Sequence, residues 1–190
     1  MAVFVSIDQR IQAAALEVDP RQPPDRGLGR GPRPPAGHDR ERTEAGDVQV
    51  MSAGAGVVHS EYNREPRDTR IFQIWIEPDR RGGAPAWGAR PFPKDDRSGR
   101  FVVLASGDAA DADALPIRAD ARVLGATLKA GQTIDYPLGA ARHGYLVPAV
   151  GAVEVDGVRV GPRDGAAIRG VDTLRVTALE DAELVLVDAA

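Results

Sequence analysis

The feature that most narrows what this chain can fold into is a run of short alternating segments separated by turn signals, clearest in "VEVDGVRV" at residues 153–160. Two alternating strands flank Asp156-Gly157 there, and Asp-Gly suits the positive φ angles of a type I′ turn, which joins two strands into a tight hairpin. Similar runs fill the second half of the chain: "RFVVLAS", "ARVLGATLKAGQTIDYPL", "HGYLVPAV", "GAAIRGVDTLRVTAL" and "AELVLVDAA". Earlier, "GDVQVMSAG" and "TRIFQIWIEP" have the same texture, with Val48 and Val50, then Phe72, Ile74 and Ile76, at period two. Many short strands with a turn roughly every ten residues predict an all-β sandwich or barrel of the jelly-roll kind.

A chain of 190 residues can hold one domain or two small ones sharing a core. A net charge of −4 without a basic stripe gives no nucleic-acid surface. No apolar run approaches the ~20 residues of a membrane helix, and the start "MAVFVSIDQR" lacks a basic leader with an apolar stretch, so a cytoplasmic protein with no membrane contact is expected. Cysteine is absent, which excludes a disulfide framework, a thiolate zinc site and a cysteine nucleophile. Any metal must be held by histidine and carboxylate.

The organisation changes near residue 45. Between Pro20 and Arg40, 15 of the 21 residues are Pro, Gly or Arg, and Leu28 alone is a large aliphatic, so this stretch is expected to be an exposed flexible arm. Before it, Ile7, Ile11, Ala14, Ala15 and Val18 follow helical spacing behind Ser6, which predicts a short amphipathic helix.

The run "MSAGAGVVHSE" places His59 and Glu61 two residues apart. On a strand, that spacing puts both on one face. An imidazole and a carboxylate suit iron, manganese, nickel, copper or zinc, although as a bare pattern the pair reads first as a strand-end surface pair. Gly54 and Gly56 supply two glycines of a dinucleotide fingerprint, but its third position is His59 and no helical pattern follows. These glycines read instead as a tight bend between strands. His38 lies in the Pro/Arg/Gly stretch, and His143 opens a strand with no second donor beside it. Trp75 and Trp87 are expected to pack in the core and loops, and Ser52 and Ser60 lack a nucleophile elbow.

"AGDVQVMSAGAGVVHSEYN" followed by "RIFQIWIEP" resembles the second half of the N-terminal cupin of the pirin family, particularly its bacterial quercetin 2,3-dioxygenases. "RFVVLASGDAADADALPIRADARVLGATLKAGQTIDYPL" resembles the bridge into their second cupin, and "GYLVPAVGAVEVDGVRVGPRDGAAI" that cupin's core. The resemblance covers roughly residues 45–190. It implies a bicupin whose N-terminal barrel binds one divalent metal, usually iron, through three histidines and a glutamate. His59 and Glu61 match two of those ligands, with Glu61 also a candidate base. The other two come from a His-x-His motif on an earlier strand, which this chain lacks.

The expected organisation is therefore a divergent segment at 1–45, an incomplete N-terminal cupin at 46–95 with a His-x-Glu half-site, and a C-terminal cupin-like domain at 96–190. The Arg/Pro/Gly/Ala texture of residues 1–44 is what GC-rich coding DNA yields out of frame, so a frameshift or truncation upstream of the Ala45 codon is expected. Two functions follow from the resemblance. One is a metal-dependent dioxygenase acting on a flavonol-like small molecule, impaired by the missing ligands. The other is a non-catalytic bicupin remnant that binds a protein partner or regulates.

Overall fold

The computed structural model describes residues 1–8, 11–15, 40–43, 45–55, 59–63, 66, 68 and 70–190, with 2–8, 11–15, 40–43 and 59–62 described by backbone alone. Residues 16–39, and with them the expected flexible arm up to its last residue, lie outside the described residues. The first part of the chain supplies β1 (Ala2–Asp8), β2 (Ile11–Ala15), β3 (Arg40–Thr43), β4 (Val48–Ser52), β5 (His59–Asn63), β6 (Arg70–Trp75) and β7 (Ala86–Arg90). After a 3₁₀ turn at Asp95–Arg97 come β8 (Val102–Ser106), β9 (Leu115–Pro116), β10 (Ala121–Leu128), β11 (Thr133–Pro137) and β12 (His143–Val150). The chain closes with β13 (Val153–Val155), β14 (Val158–Val160), β15 (Ala166–Arg169), β16 (Thr173–Ala178) and β17 (Ala182–Ala189).

The C-terminal strands form a six-stranded sheet, β15-β12-β17-β10-β8-β9, and a four-stranded sheet, β11-β16-β13-β14. Leu124, Leu146, Leu184 and Leu186 from the first meet Val153, Leu174 and Val176 from the second in one core, all at most 1% exposed. Complete burial of each such aliphatic side chain contributes about 1.5–3 kcal/mol. The 153–160 hairpin forms as expected: Val155 pairs with Val158, and Asp156 and Gly157 take φ of 45° and 85°.

β17 reads "AELVLVDA" rather than alternating, because both of its faces are covered. Leu184 and Leu186 face the C-terminal core, whereas Val185 and Val187 join Val48, Val50, Phe72 and Ile74 in a second apolar cluster. That cluster cements a four-stranded sheet, β6-β1-β4-β7, onto the back of the C-terminal barrel. A three-stranded sheet, β3-β2-β5, completes the described part of the N-terminal unit.

The helix expected behind Ser6 is not formed. β1 lies between β4 and β6, Ser6 to Asp8 pair with β6, and Ile11 to Ala15 form β2 between β3 and β5, so ladders of backbone hydrogen bonds override the helical spacing of Ile7, Ile11, Ala14 and Ala15. The strands expected to be missing before residue 45 are thus present in part, as β1, β2 and β3. Trp75 is also not a core residue. It ends edge strand β6, 71% exposed, on the face opposite Phe72 and Ile74.

The loop between β8 and β9 is held by Asp111, which accepts hydrogen bonds from Ser106 Oγ at 2.6 Å and Arg122 Nε at 2.7 Å. The Ser106 bond, then the Arg122 bond, hold this carboxyl below its ordinary range. A depressed folded value stabilises above the unfolded value of ~3.9 and is lost as pH falls through the folded one. Asp111→Asn is therefore expected to be less stable than the parent at neutral pH, with the gap shrinking below about pH 4. Thermal melts across pH 2.5–7 check this, and a gap independent of pH would contradict it.

Candidate metal centre

Past β4 the chain turns at Gly54 and Ala55. Ala55 N–H donates to the Gly83 carbonyl at 3.1 Å, and Gly54 sits at φ 53°. A Cβ at residue 54 would come within 2.4 Å of the Gly83 oxygen, so the close approach of the 83–85 backbone requires glycine there. The bend read from the sequence is thus present at Gly54. Gly56 lies outside the described residues.

His59 and Glu61 occupy alternate positions of β5, which share one face of a strand. Their side chains lie outside the described residues. β5 pairs antiparallel with β2, with Ala15 opposite His59 and Ala13 opposite Glu61. Directly opposed residues share a face, so the neighbouring strand brings no donor beside this pair. His38 lies outside the described residues, and His143 opens β12 on the C-terminal sheet, exposed and opposite Arg169 and Ala189. No group of three or more His, Asp or Glu able to hold a metal occurs among the described residues.

On the β6-β1-β4-β7 sheet, Trp75, Ala2, Met51 and Trp87 fall at one level in register. Met51 packs with Ile71 and Trp87, and the Trp87 indole Nε1 is buried without a hydrogen-bond acceptor among the described residues. Gln49, 3% exposed, and Ser52, 8% exposed, put polar groups on β4 that its alternating valines do not announce.

Two buried charge networks escaped the sequence reading. Glu183, 6% exposed, accepts from Lys94 Nζ at 2.7 Å and from Arg97 Nη2 at 3.2 Å, while Arg97 is 1% exposed. Burial pushes the Arg97 guanidinium below its ordinary value, against the pull of Glu183. Gly125 in mid-strand makes room for it, because a Cβ there would lie 2.5 Å from Arg97 Nη1. In the C-terminal core, the Tyr136 hydroxyl donates to Asp188 at 2.6 Å, and Arg142 Nε donates to the same carboxylate. Burial, then the Asp188 hydrogen bond, push the Tyr136 hydroxyl well above its ordinary value. The signal available was an acid at each end of the apolar run "ELVLVD", since a buried carboxylate requires a partner.

Comparison with known proteins bears on this arrangement. Residues 36–76 match the Pirin family, and residues 103–189 match the quercetinase C-terminal cupin domain. A pirin-like protein of Caulobacter vibrioides is 70% identical over 152 residues, 80% of this chain and 66% of that protein. Quercetin 2,3-dioxygenase of Escherichia coli is 34% identical over 151 residues, 79% of this chain and 64% of that protein. The chain thus spans just under two thirds of the length of these curated relatives. Among solved structures, the nickel(II) complex of the bacterial pirin YhhW from Escherichia coli superimposes with a TM-score of 0.78 at 24% identity, covering 99% of this chain and 71% of that one. Among the described residues, no helix is long and apolar enough to cross a membrane. With matches to both pirin modules and this fold, the chain belongs to the pirin family of cupin proteins.

Proposed function

We propose that this chain is a pirin-family cupin whose chemistry is metal-dependent 2,3-ring cleavage of a flavonol-like substrate, and that this activity is impaired. The names of the quercetin 2,3-dioxygenase relatives and the nickel in the YhhW complex support the first half. His59 and Glu61 are the proposed metal ligands, Glu61 doubling as candidate base, and iron is the proposed metal. The observation that carries the second half is the donor set. β5 offers one imidazole and one carboxylate, and β2 opposite it offers Ala13 and Ala15. A catalytic centre of this kind uses about three protein ligands plus an open position, and the donors that β5 and β2 bring together among the described residues fall short of that count. In this reading residues 46–95, joined by β1 to β3, form the N-terminal cupin unit and 96–190 the C-terminal one.

The same donor count favours a second reading, a non-catalytic binding or regulatory protein acting through a protein partner. Quercetin turnover measured after incubation with iron(II) or nickel(II) separates the two. Slow turnover lost on His59→Ala supports an impaired enzyme. No turnover under any metal supports the non-catalytic reading, and rapid turnover would overturn impairment.

A further inference from the structure

Among the described residues, β6 is the longest strand that ends a sheet, six residues from Arg70 to Trp75. Its inner side pairs with β1, and the Ile76 N–H donates to the Met1 carbonyl at 3.0 Å. That bond fixes the phase of the ladder. Phe72, Ile74 and Ile76 turn their N–H and C=O groups towards β1, so Ile71, Gln73 and Trp75 turn theirs outward. The outward groups have no hydrogen-bond partner among the described residues. Gln73 and Trp75 are exposed as well, Trp75 by 71%. β7, at the other end of the same sheet, is covered instead: Arg90 donates to the Asp113 carbonyl, and Gly88 lies against Leu115.

Free strand edges are normally blunted by lysine, proline, inward charge or a bulge, because their unpaired backbone groups are a template for another strand. The stretch "IFQIWI", residues 71–76, carries no charge, no proline and no glycine, and consists mainly of β-branched and aromatic residues. It is also complementary to itself. A two-fold axis at Gln73 sets Gln73 against its own copy and Ile71 against the partner's Trp75, so all three outward residues exchange both backbone groups. The same register places Phe72 opposite the partner's Ile74 on the other face, and aromatic–aliphatic cross-strand pairs of this kind are favourable. Neighbouring registers match less well. An axis at Ile74 sets Ile71 against the Glu77 carboxylate, and an axis at Phe72 carries Trp75 past the partner's Arg70, where the strand begins.

We propose that two copies of this chain pair through β6, antiparallel about a two-fold axis at Gln73, joining their β6-β1-β4-β7 sheets into one continuous sheet. This surface is independent of His59 and Glu61. A single strand pair is small for a permanent interface, so the dimer forms reversibly with concentration. Sedimentation velocity of the full chain over a roughly hundredfold range of concentration tests it. The parent is expected to move from the mass of one chain towards that of two. Gln73→Pro removes an outward N–H and none from the β1 ladder, and Trp75→Lys puts a charge on the exposed edge, so both should keep the mass of one chain throughout. Melting temperatures near that of the dilute parent confirm that both fold. Because the chain has no cysteine, Gln73→Cys places one thiol at the axis, where opposed Cα atoms lie about 5.5 Å apart, within disulfide reach. Glu77→Cys places the two thiols roughly 25 Å apart in the same dimer. Gln73→Cys should therefore cross-link under mild oxidation about tenfold faster or more. A parent with the mass of one chain at every concentration, association undiminished by both edge substitutions, or equal cross-linking at 73 and 77 would each overturn the proposal.

Discussion

Replacing Glu183 with Gln is expected to destabilise the protein by about 3–5 kcal/mol, because it strands the Arg97 guanidinium as an uncompensated charge in the interior. Arg97 is 1% exposed, and its Nε and Nη1 already have no acceptor among the described residues, so Glu183 at 3.2 Å is the counter-charge that makes its burial tolerable. At about 2–4 °C per kcal/mol for a chain of this size, the melting temperature should fall by roughly 6–20 °C. Removing both partners should cost far less: Arg97→Met combined with Glu183→Met leaves no fully buried charge, the Lys94 ammonium being one-third exposed to water, and should recover most of the loss. A Glu183→Gln variant melting within about 2 °C of the parent would show that water or another group neutralises Arg97.

The second large effect is a gain. Ala13 and Ala15 stand opposite Glu61 and His59 on the adjacent strand, so Ala13→His with Ala15→His would place two imidazoles on the face that carries the half-site. Four donors from two paired strands meet the count a transition metal needs, and metal affinity rises steeply as the donor set is completed. The double variant should move from well below one metal equivalent to about one after incubation with nickel(II) and dialysis. Adding His59→Ala to it should reverse most of that gain. Unchanged metal content in the double variant would mean that β2 and β5 do not present these positions to a common ion.

How much of this was legible in the sequence depended on what covers each strand. The hairpin at 153–160 was readable because Asp-Gly fixes the turn and valines recur at period two on both strands, with β13 alternating buried and exposed. β17 was readable only as an apolar run, because the back face of its sheet is covered by Val48, Val50 and Phe72 from the N-terminal unit. The end of β1 and all of β2 read as a helix, since apolar residues at helical spacing carry no local trace of the strands they will pair with. Trp75 was misplaced because hydrophobicity does not reveal that its strand is an edge. Gly54 was legible as a bend, whereas Gly125 was not, because its reason is a guanidinium arriving from residue 97, far away in the chain. The candidate site was half legible: His59-x-Glu61 showed itself by spacing, while the alanines opposite it became apparent only through strand register.

The central claim is that β5 carries half of a metal site. Its most direct test is the metal content of the purified chain, measured by inductively coupled plasma mass spectrometry before and after incubation with iron(II) or nickel(II), alongside His59→Ala. The parent should carry well below one equivalent, and His59→Ala should change that little, because two donors on a single strand hold an exchangeable ion weakly. Stoichiometric metal in the parent, lost specifically on His59→Ala, would contradict the account by showing that the chain completes the coordination sphere with other ligands.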